Sequence, residues 1–298
     1  MSSSAPVPPP VRDRLRVPGR AGGSLATVGC MDATVVSPTE PGPLAQELWE
    51  EVGSGESSAR VFVSKDGARY AKVASGDEVA ALAGERDRVR WAVEHGIPGP
   101  RSLGWAEGPD GAVLTTGAMA GTPADQVGPD QVRRAWTSIV AAVRALHDVP
   151  TGGCPFDRGL RTMYALAQDV VARGAVRREF LRPEQEFRKG DDLLAELAVE
   201  LPVRQEQEAA DQVVCHGDLC LPNILLDPET LEVSGFVDLG RLGVADRHAD
   251  LSLLLASAQD TWPDEAQHLQ DQLQPLYGSP VDADRLRFHL FLDPLTWD

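Results

Sequence analysis

Cysteine, positive charge and long apolar runs are all scarce in this chain. The four cysteines, Cys30, Cys154, Cys215 and Cys220, are too few and too scattered for a disulfide framework. Cys215 and Cys220 lie five apart with no second pair to complete a tetrahedral metal set. Reduced thiols are therefore expected, and with them a cytoplasmic location. Lys and Arg number 28 against 45 Asp and Glu, a net charge of −17. Such a surplus is repelled by nucleic-acid phosphates and by anionic lipid headgroups. The longest largely apolar stretch, Leu251–Ala256, is six residues, far short of the ~20 that span a bilayer. Nucleic acid and membrane are thus excluded as expected partners, and a cationic partner is favoured by charge.

What is present is enough for real cores. The chain has 298 residues, of which 42% are hydrophobic and 24% charged, the balance of a globular protein of about two domains. The first thirty residues differ from the rest. They are rich in Pro, Gly, Ser and Arg and have no hydrophobic periodicity, so they predict no packed structure. Four Arg against one Asp give them +3, which leaves −20 on residues 31–298. Met31 follows directly, and one hypothesis is a translation start at Met31, the alternative being the full chain. An intact mass near 32.0 kDa from the native gene overturns that hypothesis. The tail is bounded at residues 1–44.

From about residue 48 the pattern becomes β-rich. A Gly/Ser turn, EEVGSGESS, precedes alternating strands at 59–63 and 68–74, joined by a hairpin turn at Lys65–Gly67. A helix is expected over about 77–95, with apolar Val79, Leu82, Val89 and Val93. Two more strands follow near 102–106 and 112–116, split by the turn GPDG. A Gly/Ser loop can lie close over phosphates because its backbone N–H groups are unobstructed, which nominates Ser57 and Ser58. The strand lysine Lys72 can reach phosphates, and a helical glutamate, Glu85 before Glu78, can pair with it and aim it.

The denser signal is VVCHGDLCLPNILLDPETLEVSGFVDLGR at 213–241. A short strand ends in the loop His216–Pro222, and two further strands, 224–226 and 233–237, form a hairpin. That hairpin sets Asn223 and Asp238 side by side. Asp218 lies five residues before Asn223. Two carboxylates and an amide oxygen thus converge from loop and strand ends. Hard oxygen ligands suit Mg²⁺ shared with substrate phosphates, and the remaining Asp is free to accept a proton from an attacking hydroxyl. His216 is expected to brace the loop.

With that pattern in place, the segment resembles the aminoglycoside O-phosphotransferases, over roughly residues 45–298. The resemblance implies an α+β, protein-kinase-like two-lobed fold: a β-rich lobe at 45–116, a hinge at 117–120 and a mainly helical lobe at 121–298. It implies ATP and Mg²⁺ as cofactors. Asp218 takes the role of catalytic base, Asn223 and Asp238 hold the metal, and Lys72, paired with Glu85, binds ATP phosphates. VLTTGAMAG resembles the hinge, where backbone at Gly117, Ala118 and Met119 holds adenine. Gly217 stands where many protein kinases have Arg, so no activation by loop phosphorylation is expected. Several stretches, among them CPFDR, DLGRLGVADRHADL and LDPLTWD, resemble the streptomycin 3''-phosphotransferases in particular. Asp293 is followed by Pro294 where kanamycin-type enzymes carry an Asp-Glu pair, and Ala256 and Asp260 replace an arginine and a glutamate.

The expected acceptor is therefore a cationic, streptomycin-like aminoglycoside, phosphorylated on its 3''-hydroxyl by a monomeric enzyme. Guanidinium groups pair naturally with carboxylates, which nominates Asp260, Asp293, Asp298, Glu184 and Glu186. Arg241 matches a family arginine that helps order the site, and Asp250 is expected to anchor backbone. Two other readings stand beside this one. One is the same reaction on another aminoglycoside or on a small hydroxylated amine such as choline or homoserine. The other is an inactive kinase-like binding module.

Overall fold

The alternation either side of Lys65–Gly67 folds as a hairpin because the turn residues make it do so. Gly67 adopts φ 71° and returns its N–H to Ser64 O at 2.7 Å. The Asp66 carboxylate takes the Ser64 hydroxyl at 2.6 Å and the Ala68 N–H at 3.0 Å. The computed structural model describes residues 49–52, 59–128 and 130–297. The expected tail, the loop bearing Ser57 and Ser58, and Asp298 lie outside the described residues. The described residues fall within one unit, Val36–Asp298.

Five antiparallel strands build the first lobe: β1 Trp49–Val52, β2 Arg60–Ser64, β3 Arg69–Ala74, β4 Ser102–Gly108 and β5 Gly111–Gly117, in the order β1-β2-β3-β5-β4. Helix α1, Glu78–Glu94, covers one face, where Leu82 packs with Ala74, Ala112 and Leu114. The opposite face carries Phe62, Ala71 and Val113. Of the apolar residues read on the helix, Val79 and Val93 are half-buried, and the helix's buried residues are Leu82, Val89, Trp91 and Ala92. The reason is a second neighbour. Val89, Trp91 and Ala92 join the core of the second lobe, and Trp91 donates to Gly153 O at 2.9 Å.

The second lobe is mainly helical. Helix α2, Val132–His147, presents Trp136, Ile139, Val140 and Val143 at helical spacing to the main core, against Phe236, Leu239, Leu251 and Leu254. Helices α3, Leu160–Ala172, and α4, Gly190–Glu208, form a second core with α7, Ala283–Leu292, through Leu160, Leu193, Leu197 and Phe288. Strands β6 Thr122–Pro123, β8 Ile224–Leu226 and β9 Val233–Phe236 make a small sheet. Strands β7 Gln212–Cys215 and β10 Gly243–Asp246 pair antiparallel and lead into α5, Arg247–Thr261, followed by α6, Ala266–Tyr277. Asp246 caps α5 through His248 N, and Asp282 caps α7 through Asp284 N and Arg285 N. No helix among the described residues is long and apolar enough to cross a membrane.

Candidate active site

The loop after β7 is held from beneath by one buried carboxylate. Asp250, on α5, is fully covered. It accepts the His216 N–H at 2.7 Å and the Gly217 N–H at 2.9 Å. His147 of α2 reaches the same carboxylate at 3.1 Å and meets the Tyr277 hydroxyl at 2.8 Å. Burial works against the charged form of Asp250, but the bond and charge of His147 and the Gly217 N–H keep its pKa below the ordinary value. His147, Cys215 and Asp250 stand within 4.8 Å of one another. Their polar bonds already serve the fold, so the trio is a brace rather than a metal site. His216 supplies a second strut. Its Nδ1 accepts the Asp218 N–H at 3.2 Å, which leaves Nε2 to donate to Val237 O at 2.9 Å.

Asp218 is oriented from both sides of its carboxylate. The Asn223 amide donates to Oδ2 at 3.0 Å and to the Asp218 carbonyl at 2.8 Å. Cys220 Sγ lies 3.7 Å from Oδ1. Val237 N bonds Asn223 O at 2.9 Å, which brings Asn223 to the end of β9 beside Asp238. Asp238 adopts a left-handed φ of 59°. It pairs with Lys72, and Lys72 bonds Glu85 at 2.8 Å. The two carboxylates are tuned apart. Burial raises Asp218, and Asp293 and Asp238 add to the rise against His216 and Arg241. Burial alone would also raise Asp238, but the Lys72 ammonium outweighs it and lowers the pKa. For Lys72 burial opposes the charge, and Glu85 and Asp238 overcome it and raise the pKa. Two carboxylates with diverging acidities in one cleft can divide the work, one as a base and one as a permanent anion. Asn223 keeps its amide oxygen free and Asp238 stays ionised, a donor set of hard oxygens that fits Mg²⁺.

On the other side of Asp218 the chain's last described residues form a wall. Arg241 donates to Thr296 Oγ1 at 2.5 Å and lies 3.8 Å over the Trp297 ring. Trp297 donates to Asp293 at 3.0 Å and meets Phe180 edge-on at 5.6 Å. The turn after Phe180 is tied down by the buried Gln185. That side chain takes the Arg182 N–H at 3.1 Å and donates to Phe291 O at 2.9 Å. Glu184, Glu186 and Phe187 stand exposed on the turn, Phe187 at 89%.

A family model described as a phosphotransferase enzyme family matches residues 49–289. The chain belongs to this phosphotransferase family. Its relatives include the streptomycin 3''-kinase of Streptomyces griseus, 55% identical over 86% of this chain and 97% of the other. The aminoglycoside 3'-phosphotransferase of Streptomyces fradiae is 40% identical over 82% and 94% of the two chains. Among solved structures, aminoglycoside phosphotransferase APH(3'')-Id from Streptomyces rimosus superposes with a TM-score of 0.81 at 52% identity, covering 84% of this chain and 93% of that one. The same enzyme in complex with ADP and streptomycin gives 0.80 at 51% identity, with the same coverage. The kinase-like two-lobed fold expected from the sequence is therefore the fold of this family member.

The expected site residues fall into three groups within the family fold. Lys72, Glu85, Asp218, Asn223 and Asp238 come together in one cleft, and Asp293 and Arg241 border it. Several of the expected residues have partners of their own. Asp260 pairs with Arg182 at 3.2 Å, so its carboxylate is committed to the 182–188 turn. Arg241 is bound to Thr296 and stacked on Trp297. The N–H groups of Gly117 and Ala118 are taken by Arg101 O at 2.9 Å and Ala68 O at 2.8 Å. Of the three hinge residues only Met119 keeps an N–H uncommitted to the described residues. Glu184 and Glu186 sit on a turn as expected. His147 and Gln185 were not foreseen. Each meets partners dozens of residues away, and no local pattern marks such pairings.

Proposed function

We propose that this phosphotransferase transfers the γ-phosphoryl group of ATP, with Mg²⁺, to the 3''-hydroxyl of streptomycin. The observation that carries the reaction class is the pair of diverging carboxylates in one cleft, Asp218 raised on the loop fixed by Asp250 and Asp238 lowered beside Lys72 at the end of β9. The acceptor follows from the likeness to the Streptomyces griseus streptomycin 3''-kinase over 97% of its length.

In this reading Lys72, aimed by Glu85, holds ATP phosphates, and the Met119 backbone meets adenine. Asn223 and Asp238 hold Mg²⁺, which neutralises phosphate charge when bound. Asp218 aligns the acceptor hydroxyl and takes its proton, and the raised pKa makes it a better acceptor. Asp293 and the exposed Glu184 and Glu186 face a cationic acceptor with negative charge. Ser57, Ser58 and Asp298 keep the roles expected of them, phosphate contact for the two serines and acceptor contact for the aspartate. The nucleotide-binding lobe spans 45–116, the hinge 117–120 and the acceptor-binding lobe 121–298. The enzyme works in the cytoplasm as a monomer.

A coupled assay for ADP release over streptomycin, kanamycin, hygromycin and choline tests the proposal. Streptomycin is expected to turn over fastest, with the phosphate on the 3''-oxygen by phosphorus NMR. Turnover of another panel member without streptomycin overturns the acceptor assignment. An absence of turnover with every member overturns the reaction.

A further inference from the structure

Arg158 stands just before α3, in a segment that pairs with β10. Its N–H bonds Val244 O at 2.9 Å, and Asp157 bridges to Val244. The side chain runs past Gly243 and ends against the catalytic loop. A Cβ built on Gly217 would lie 2.7 Å from Arg158 Nε and 2.0 Å from Arg241 O. Gly217, at φ 83°, is therefore the residue that lets a guanidinium approach the loop immediately before Asp218. The space a side chain at 217 would enter is filled by the arginine of another element.

That guanidinium is half-buried and makes no hydrogen bond or ion pair to any described residue. Neighbouring arginines differ. Arg241 is bound to Thr296 and stacked on Trp297, and Arg182 is paired with Asp260. The acid nearest both, Asp293, already receives the Trp297 N–H and stands 3.9 Å from Arg241. Burial, and then the like charge of Arg241, lower the Arg158 pKa to about 9, so it remains a cation at neutral pH. A partly desolvated cation beside a second cation is costly unless an anion completes it. Lys72 holds the opposite, nucleotide side of the cleft through Glu85 and Asp238. Arg158 lies on the side of Arg241 and Asp293, the acceptor wall. The anion that arrives there during the reaction is the phosphoryl group, and the planar guanidinium fork is suited to two phosphate oxygens at once.

We propose that Arg158 is a catalytic residue that contacts the phosphoryl group on the acceptor side of Asp218 and holds the phosphate monoester product. This rests on the phosphotransfer reading given above. In the step concerned, the bond from Pγ to the ADP oxygen breaks and a bond from phosphorus to the acceptor oxygen forms. The hydroxyl proton passes to Asp218, and Arg158 exchanges no atom.

The test uses Arg158→Gln and Arg158→Lys in the full chain, with phosphorylated streptomycin prepared by the wild-type enzyme as product probe. For Arg158→Gln kcat is expected to fall at least about tenfold, with KM for MgATP changed less than about twofold. The product inhibition constant is expected to rise at least about fivefold, and Arg158→Lys to fall between. The inhibition constant does not depend on the folded fraction, so a purely structural role leaves it unmoved. If Arg158→Gln does not fold, Arg158→Lys is judged on the same shift in product inhibition. A kcat within about twofold of wild type with unchanged product inhibition overturns the proposal. So does a rise confined to KM for the acceptor, which would place Arg158 on the drug rather than on the phosphoryl group. Wild-type turnover of streptomycin is measured first. If only another panel alcohol is phosphorylated, the acceptor assignment fails alone, and the variants are read with that alcohol and its phosphorylated product. If none is phosphorylated, both readings fail.

Discussion

Asp218 and Asp238 are chemically identical side chains given different acidities by their surroundings. Asp218 is raised by burial and by two nearby carboxylates, whereas Asp238 is lowered by Lys72. Asp218→Ala is expected to lower kcat by about 10²–10⁴-fold, the usual worth of a positioned base. Nucleotide affinity should change little, as checked by calorimetric titration of the variant with ADP. Asp238→Ala is expected to lose metal-dependent nucleotide binding in the same titration while nucleotide binding without metal persists. These two residues were legible because they sit at fixed spacing around a hairpin, and backbone geometry converts spacing into proximity. The pairing of Asp260 was not legible, for the opposite reason. Its partner Arg182 lies 78 positions away, and nothing near Asp260 in the chain announces that its carboxylate is taken.

At the scale of elements, one helix does most of the bracing. Helix α5 supplies Asp250 to the catalytic loop, and its cap, Asp246, anchors α7. Asp246 is fully buried and receives Arg285 at 3.0 Å and His248 at 2.8 Å, with His289 at 3.4 Å. Burial alone would raise the Asp246 pKa, but the bonds and charges of His248 and His289 outweigh it and hold it far below the ordinary carboxylate range. As pH falls, the unfolded chain binds the proton first. The contribution of Asp246 is therefore full above about pH 5 and declines below about pH 4. Burial also lowers the His248 pKa, with Asp246 opposing, so the unfolded histidine protonates first below about pH 6.5, in the same direction. Asp246→Asn is expected to flatten the acid limb of a urea-unfolding series. At neutral pH it should cost about 3–5 kcal/mol, since Arg285 is left with Asp211 alone. Trp136 joins α2 to α6 by donating to Leu269 O at 3.0 Å from a fully buried ring. Trp136→Ala should cost about 3–5 kcal/mol in the same measurement. The helical period made α1 readable only in part, because periodicity reports one buried face and α1 buries a second against the other lobe.

For the molecule as a whole, the −17 net charge acts as a field. It attracts a cationic acceptor and opposes an anionic nucleotide, so salt should affect the two substrates in opposite senses. KM for the aminoglycoside is expected to rise several-fold between about 0.1 and 1 M salt, as the Debye length contracts from ~10 to ~3 Å. KM for MgATP should hold or fall over the same range. Equal rises for both substrates in steady-state kinetics would count against field-assisted capture. Composition made the sign of this field plain from the outset. What it left open was where the acids gather, because that depends on contacts such as Arg241 with Trp297 that join distant stretches of chain.

The support of the catalytic loop and that of the acceptor wall differ in kind. The loop is gripped through its backbone N–H groups by one sealed carboxylate, Asp250, and from within by the His216 ring, neither of which touches the wall. The wall is assembled from contacts between side chains, Arg241 on Trp297, Trp297 on Asp293 and Arg182 on Asp260, each replaceable singly. Drift in the wall can thus alter which alcohol is presented while the transfer machinery stays in register. Descendants of such a chain are free to change their target before they change their chemistry, and a family named for different hydroxyls on different drugs is the expected legacy.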